Sequence, residues 1–194
     1  MTTSTEPNYA TSWSPDGRYL LVTRIRGTEY DVWAVEATPS GKGPGGRKAF
    51  PVIQTKGYAG SGAFSPDGKW IAYHAAASGR NEIFVQPFAE TAPSKQSVWQ
   101  VSAQGGMYPQ WRADGKELFY LSTIGSVMAA PVHIVSGAFE SDPPAELFRV
   151  GDLGGRTFAA AADGLQFLIL APASRGPSGG SRMTVVLNWQ SLLK

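Results

Sequence analysis

The sequence predicts an all-β fold: a β-propeller segment of about four four-stranded antiparallel blades, with the last blade incomplete. Three observations point there. A short phrase recurs as Trp13-Ser14-Pro15-Asp16-Gly17, Phe64-Ser65-Pro66-Asp67-Gly68, Trp111-Arg112-Ala113-Asp114-Gly115 and Ala160-Ala161-Ala162-Asp163-Gly164, its aspartates 51, 47 and 49 residues apart. The same series of strand-like segments follows each copy. Gly 23 and Pro 14 in 194 residues suit many short strands and tight turns rather than helices. A unit repeated at that period is one supersecondary block that buries its faces by stacking on its neighbours. Blades are expected at about residues 8–55, 56–103, 104–151 and 152–194, after a flexible stretch 1–7.

Each blade opens with a short inner strand, at residues 9–13, 60–64, 107–111 and 156–160, expected to line a central channel. The turn comes next. Ser first, Pro second and Gly fourth is the pattern of a type I turn, in which the Asp side chain caps the backbone and Gly takes a positive φ. Asp16, Gly17, Asp67, Gly68, Asp114, Gly115, Asp163 and Gly164 are therefore read as structural turn residues. The second strands, at 18–23, 69–74, 116–121 and 165–170, are continuous apolar runs, as expected for strands covered on both faces. Third strands are expected at 31–35, 82–86, 127–130 and 184–188, and more polar outer strands at 49–55, 97–103 and 145–151. Trp13, Trp33, Phe64, Phe84 and Trp111 are expected in the core.

No outer strand is expected in the fourth unit. An arc of blades would leave bare apolar faces that a soluble monomer seldom tolerates. Closing the ring therefore calls for further blades or for self-association.

Composition excludes several function classes. Basic and acidic residues number 17 and 15 and are interleaved, so nucleic acid is not an expected partner. Cysteine is absent, which removes disulfides, thiolate metal sites and a thiol nucleophile. No apolar run reaches a bilayer-spanning length, and residues 1–7 carry no secretion-signal pattern. The stretch Gly41-Lys42-Gly43-Pro44-Gly45-Gly46 matches a dinucleotide-binding pattern only formally, because it holds a proline and joins two strands. The aspartates also lack the spacing of the Asp box found in sialidase-type propellers. No nucleophile elbow and no protein-kinase signature occurs. His74, at the end of a second strand, is expected to cap or sit on the surface. No catalytic residue, metal site or cofactor is expected.

The best candidate binding surface is the channel mouth. Tyr9, Tyr58, Tyr108 and Arg156 lie near the starts of the inner strands, with Met107 and Gln110 close by. Aromatic rings and an arginine around a funnel suit a protein, peptide or small ligand. Packing between blades is the competing explanation for the tyrosines.

The phrase (W/F)-S-P-D-G-(K/R), with its apolar strand and the acidic-aliphatic-aromatic strand beyond, resembles the TolB-like (PD40) repeat of six-bladed propellers over about residues 8–190. The ending Met183-Thr184-Val185-Val186-Leu187-Asn188-Trp189-Gln190-Ser191-Leu192-Leu193-Lys194 resembles the last blade of propellers that follow bacterial serine/threonine protein kinase domains. That resemblance implies a non-catalytic sensor or scaffold, with an extracytoplasmic location and a kinase half elsewhere in the parent protein. Alternatives are a TolB-like periplasmic interaction propeller and the propeller portion of a prolyl-oligopeptidase-type hydrolase. Ala113 and Ala162 in place of the turn proline, and Ala160 in place of the aromatic, depart from the repeat.

Overall fold

A computed structural model describes residues 8–39, 46–55, 57–77, 79–90, 98–150, 158–171 and 182–187. They form four antiparallel sheets and, among the described residues, no helix. Blade 1 runs in order β1 (Asn8–Trp13), β2 (Tyr19–Arg26), β3 (Glu29–Glu36), β4 (Ala49–Ile53). Blade 2 repeats it with β5 (Ala59–Phe64), β6 (Trp70–Ala77), β7 (Arg80–Pro87) and β8 (Trp99–Gln100). Blade 3 comprises β9 (Met107–Trp111), β10 (Glu117–Leu121), β11 (Ser126–Val135), β12 (Ala138–Ser141) and β13 (Ala145–Arg149). Blade 4 shows β14 (Phe158–Ala160), β15 (Gln166–Ala171) and β16 (Arg182–Leu187).

Blade 3 departs from the four-strand expectation. Its third strand overruns the sheet and folds back as a hairpin, with β11 pairing both β12 and β13. The hairpin turns at Ser136 and Gly137, both at positive φ (50° and 81°). It is held in place by Phe139, 1% exposed and packed on Trp70, Trp99 and Trp111. In blade 2 the outer strand shrinks to two residues.

The phrase turns are built alike. Ser14, Ser65, Arg112 and Ala161 each accept a backbone hydrogen bond at 2.9 Å from the glycine three residues on. Those glycines adopt φ of 71–72°, a region without cost only for glycine. Asp16, Asp67, Asp114 and Asp163 each accept from the backbone N–H two residues later, at 3.0, 3.1, 3.0 and 2.9 Å. In the first two turns the serine hydroxyl also donates to the aspartate, at 2.6 Å.

Three apolar clusters lie between successive blades, so the cores are the junctions. Strand periodicity explains the middle strands. Along β6, Ile71 and Tyr73 join the junction with blade 1, whereas Trp70 and Ala72 join that with blade 3. Burial on both faces holds for β6 but not for β2, where Leu20 and Val22 stay half-buried. Trp13 corrects the sequence expectation: it is 60% exposed, because among the described residues no blade packs against the face it shares with Leu20. Phe64 is buried, and Trp33, Phe84 and Trp111 are half-buried.

Candidate functional site

The inner strands β1, β5 and β9 share irregular pairing that follows from their sequence. In each, the register with the middle strand shifts, at Ala10/Ser12, at Gly60/Ala63 and opposite Phe119/Leu121. Ser61 and Tyr108, both six residues ahead of their turn aspartates, sit at φ of 51° and 57°. Such bulges bend a strand and re-aim its side chains, commonly beside binding sites. Neighbouring inner strands are tied by side chains. Thr11 Oγ1 donates to the Gly62 carbonyl at 2.7 Å, the Phe64 N–H donates to Ser12 Oγ at 3.1 Å, and Trp111 Nε1 donates to the Ala63 carbonyl at 3.1 Å.

Between them runs a groove of about 660 Å³, lined by Thr11, Ser12, Trp13, Ser61, Gly62, Tyr108, Gln110 and Trp111 among others. No charged side chain is among its described lining residues. Two indoles, hydroxyls and backbone amides make a neutral, amphipathic surface of the kind that takes extended peptide or small neutral ligands.

Five of the six predicted mouth residues are described. Tyr9, Tyr58 and Tyr108 stand seven, nine and six residues ahead of their turn aspartates, so they occupy different blade positions. Tyr9 is 59% exposed at the start of β1. Tyr58 packs against Tyr30 (centroids 4.4 Å apart) and lies on His74 (5.0 Å). Tyr108 also meets His74, edge-on at 5.7 Å, and lines the groove. Met107, half-buried, pairs with Leu121. Gln110 bridges blades 3 and 4: its Nε2 donates to the Phe158 carbonyl, and its Oε1 accepts from the Ala160 N–H at 2.8 Å. Arg156 lies outside the described residues.

His74 is a second correction. It is 1% exposed, not at the surface, because its strand is covered on both faces. Both ring nitrogens lack a hydrogen-bond partner, and burial pushes its pKa down from 6.5 to about 4. Burial also raises Tyr58, with Tyr108 and Tyr30 adding to the effect. The sequence missed Thr11, Ser12 and Ser61 as groove residues; the register shifts that expose them come from pairing, which single strands do not display.

The buried carboxylate of Glu82 has a structural role. Glu82, 1% exposed, accepts from Arg80 Nε at 2.6 Å, from Ser102 Oγ and from the Gly105 N–H at 2.9 Å, fixing the loop into β9. No group of metal-ligating side chains and no helix long and apolar enough to cross a membrane occurs among the described residues.

Similarity to solved structures bears on this architecture. TolB from Acinetobacter baumannii matches 95% of this chain with 53% of its own, at 15% identity and TM-score 0.55. The chain has a TolB-like β-propeller fold. This propeller also matches an oligogalacturonate lyase in complex with manganese (98% of this chain, 53% of that one, 11% identity, TM-score 0.63). A Mycobacterium tuberculosis puromycin-hydrolyzing peptidase matches over 93% of this chain and 29% of its own, at 17% identity and TM-score 0.57. The chain thus spans about half the length of the first two and under a third of the peptidase. No family model matches the propeller, and no curated protein matches it significantly in sequence.

Proposed function

We propose that this chain is a non-catalytic binding module that holds a neutral, extended protein or peptide segment in the inner-strand groove. The observation that carries the reading is the groove itself: about 660 Å³, no charged described lining residue, and aromatic rings from Trp13, Tyr108 and Trp111. A peptide there meets flat rings with little side-chain freedom to lose, the property that makes aromatics effective anchors. The turn aspartates, each engaged by its own backbone, favour no acid–base role. The likeness of residues 183–194 to the last blade of kinase-associated propellers supports a place as the C-terminal sensor or interaction part of a bacterial serine/threonine kinase.

Panning a random linear peptide library against the immobilised chain tests the binding reading. Peptides that bind the native chain and not Ala10→Trp, which fills the groove, support it; peptides indifferent to that substitution contradict it. Reading the coding sequence upstream of Met1 tests the kinase context. A kinase domain there supports it, and a cleavable signal followed by two blades supports the TolB-like alternative. The fold match to a peptidase supports a second reading, a propeller that screens substrates for a separate hydrolase domain. A downstream α/β domain in the gene favours that one.

A further inference from the structure

We propose that the segment held in the inner-strand groove carries an arginine beside its neutral run, and that this side chain enters the cleft between the phrase turns of blades 2 and 3. The inference rests on the groove reading above and adds a charged anchor to the ligand. The cleft, about 320 Å³, is continuous with the groove: both are lined by Ser65, Pro66 and Trp111. Trp70, Val132 and Ile134 give it apolar walls, and its charged lining residues, among those described, are Asp67 and Asp114.

The junction of blades 1 and 2 contains the same cleft, about 300 Å³, and shows what such a cleft takes. Pro15, Asp16 and Tyr19 hold there the places of Pro66, Asp67 and Trp70. On the far side, the Phe88 N–H donates to the Lys69 carbonyl as the Val132 N–H donates to that of Lys116. Glu90 and Ile134, each two residues further on, therefore correspond. The chain fills this first cleft with its own cation. Arg18 lies over the Tyr19 ring at 5.1 Å and pairs with Glu90 at 3.1 Å.

The second cleft keeps the aromatic wall and the turn carboxylates, but Lys69, the counterpart of Arg18, is not among its lining residues. Arg112 engages both oxygens of Asp114, at 2.7 and 2.8 Å. Asp67 accepts from the Ser65 hydroxyl and the Lys69 N–H and, among the described residues, pairs with no cation. Trp70, 7% exposed, has an indole N–H without a hydrogen-bond partner, a donor left for a carbonyl of the bound segment. An arginine suits all of these features. Its planar head stacks on a ring and pairs with a carboxylate, while its aliphatic stem covers Val132 and Ile134.

Random linear peptides panned on the whole chain should return sequences with an arginine next to an uncharged run. Replacing that arginine by glutamine in one such peptide should weaken binding, read by fluorescence anisotropy, about three- to tenfold. Asp67→Asn, which keeps an oxygen acceptor for the turn, should weaken the arginine peptide by a similar factor and leave the glutamine peptide unchanged. Ile134→Arg, at a position 50% exposed, fills the cleft from within and should give the same selective loss without touching the turn. Ala10→Trp, in the groove, should abolish binding of both peptides. Peptides indifferent to Ala10→Trp would sink the groove reading and this one with it. Peptides that need the groove yet lack arginine, or whose arginine form binds Asp67→Asn or Ile134→Arg as tightly as the native chain, overturn the placement of the arginine alone.

Discussion

The ring of Tyr58 lies on the imidazole of His74, centroids 5.0 Å apart and 24° from parallel. Tyr108 meets the same imidazole edge-on at 5.7 Å, and the buried base has neither nitrogen hydrogen-bonded. An uncharged ring suits that environment and a charged one does not.

Stability should therefore depend on pH through His74. Its pKa of about 4 in the fold lies below the ordinary 6.5, so the unfolded chain takes up the proton first. The contribution is whole above 6.5 and is lost as pH falls toward 4. Between pH 7 and 5, above the carboxylate range, the loss should be about 2 kcal/mol. Urea unfolding at the two values measures it. His74→Phe, which keeps the stacked ring without the base, should flatten the difference, and an equal loss in that variant would contradict the assignment.

Gly106 sits where blades 2 and 3 approach closely. A Cβ there would stand 2.6 Å from Ile83 Cγ1 and 2.8 Å from Tyr120 Cδ2. Gly106→Ala should cost about 1–3 kcal/mol by overpacking. A urea midpoint unchanged from wild type would mean that the junction is looser than described.

Gln110 should act as a tie between blades. Gln110→Ala leaves the Phe158 carbonyl and the Ala160 N–H without their partner and should cost about 1–3 kcal/mol. Hydrogen exchange should rise first in β14 and β15. A uniform rise across all four blades would argue against a local tie.

The turn aspartates should matter to folding and not to chemistry. Asp67→Ala deprives Ser65 Oγ and the Lys69 N–H of their acceptor and should lower stability by about 1 kcal/mol. Calorimetry with calcium or manganese should show no binding that depends on Asp67. Heat lost on substitution would sink this reading.

The local features were legible in the sequence and the relational ones were not. Ser14-Pro15-Asp16-Gly17 encodes its turn within four residues, and the repeat places the middle strands within a residue or two of their observed starts. The hairpin of β11 and β12 went unread, although Ser136-Gly137 is a turn signal, because the repeat template assigned that stretch to a connection. Tyr9, Tyr58 and Tyr108 look alike in sequence, yet each holds a different blade position. Trp13 and His74 were misplaced for one reason: whether a strand face is covered depends on the neighbouring blade, not on the strand.

Resonances of the Trp13 and Trp111 indole N–H groups report most directly on the groove as a binding surface. Titrated with a library-selected peptide, the chain should show them shifting together with the Ser61 and Gly62 amides, while β12 and the turn at Asp163 stay fixed. Shifts confined to the turns or to the β11–β12 hairpin, with both indoles unmoved, would contradict the account.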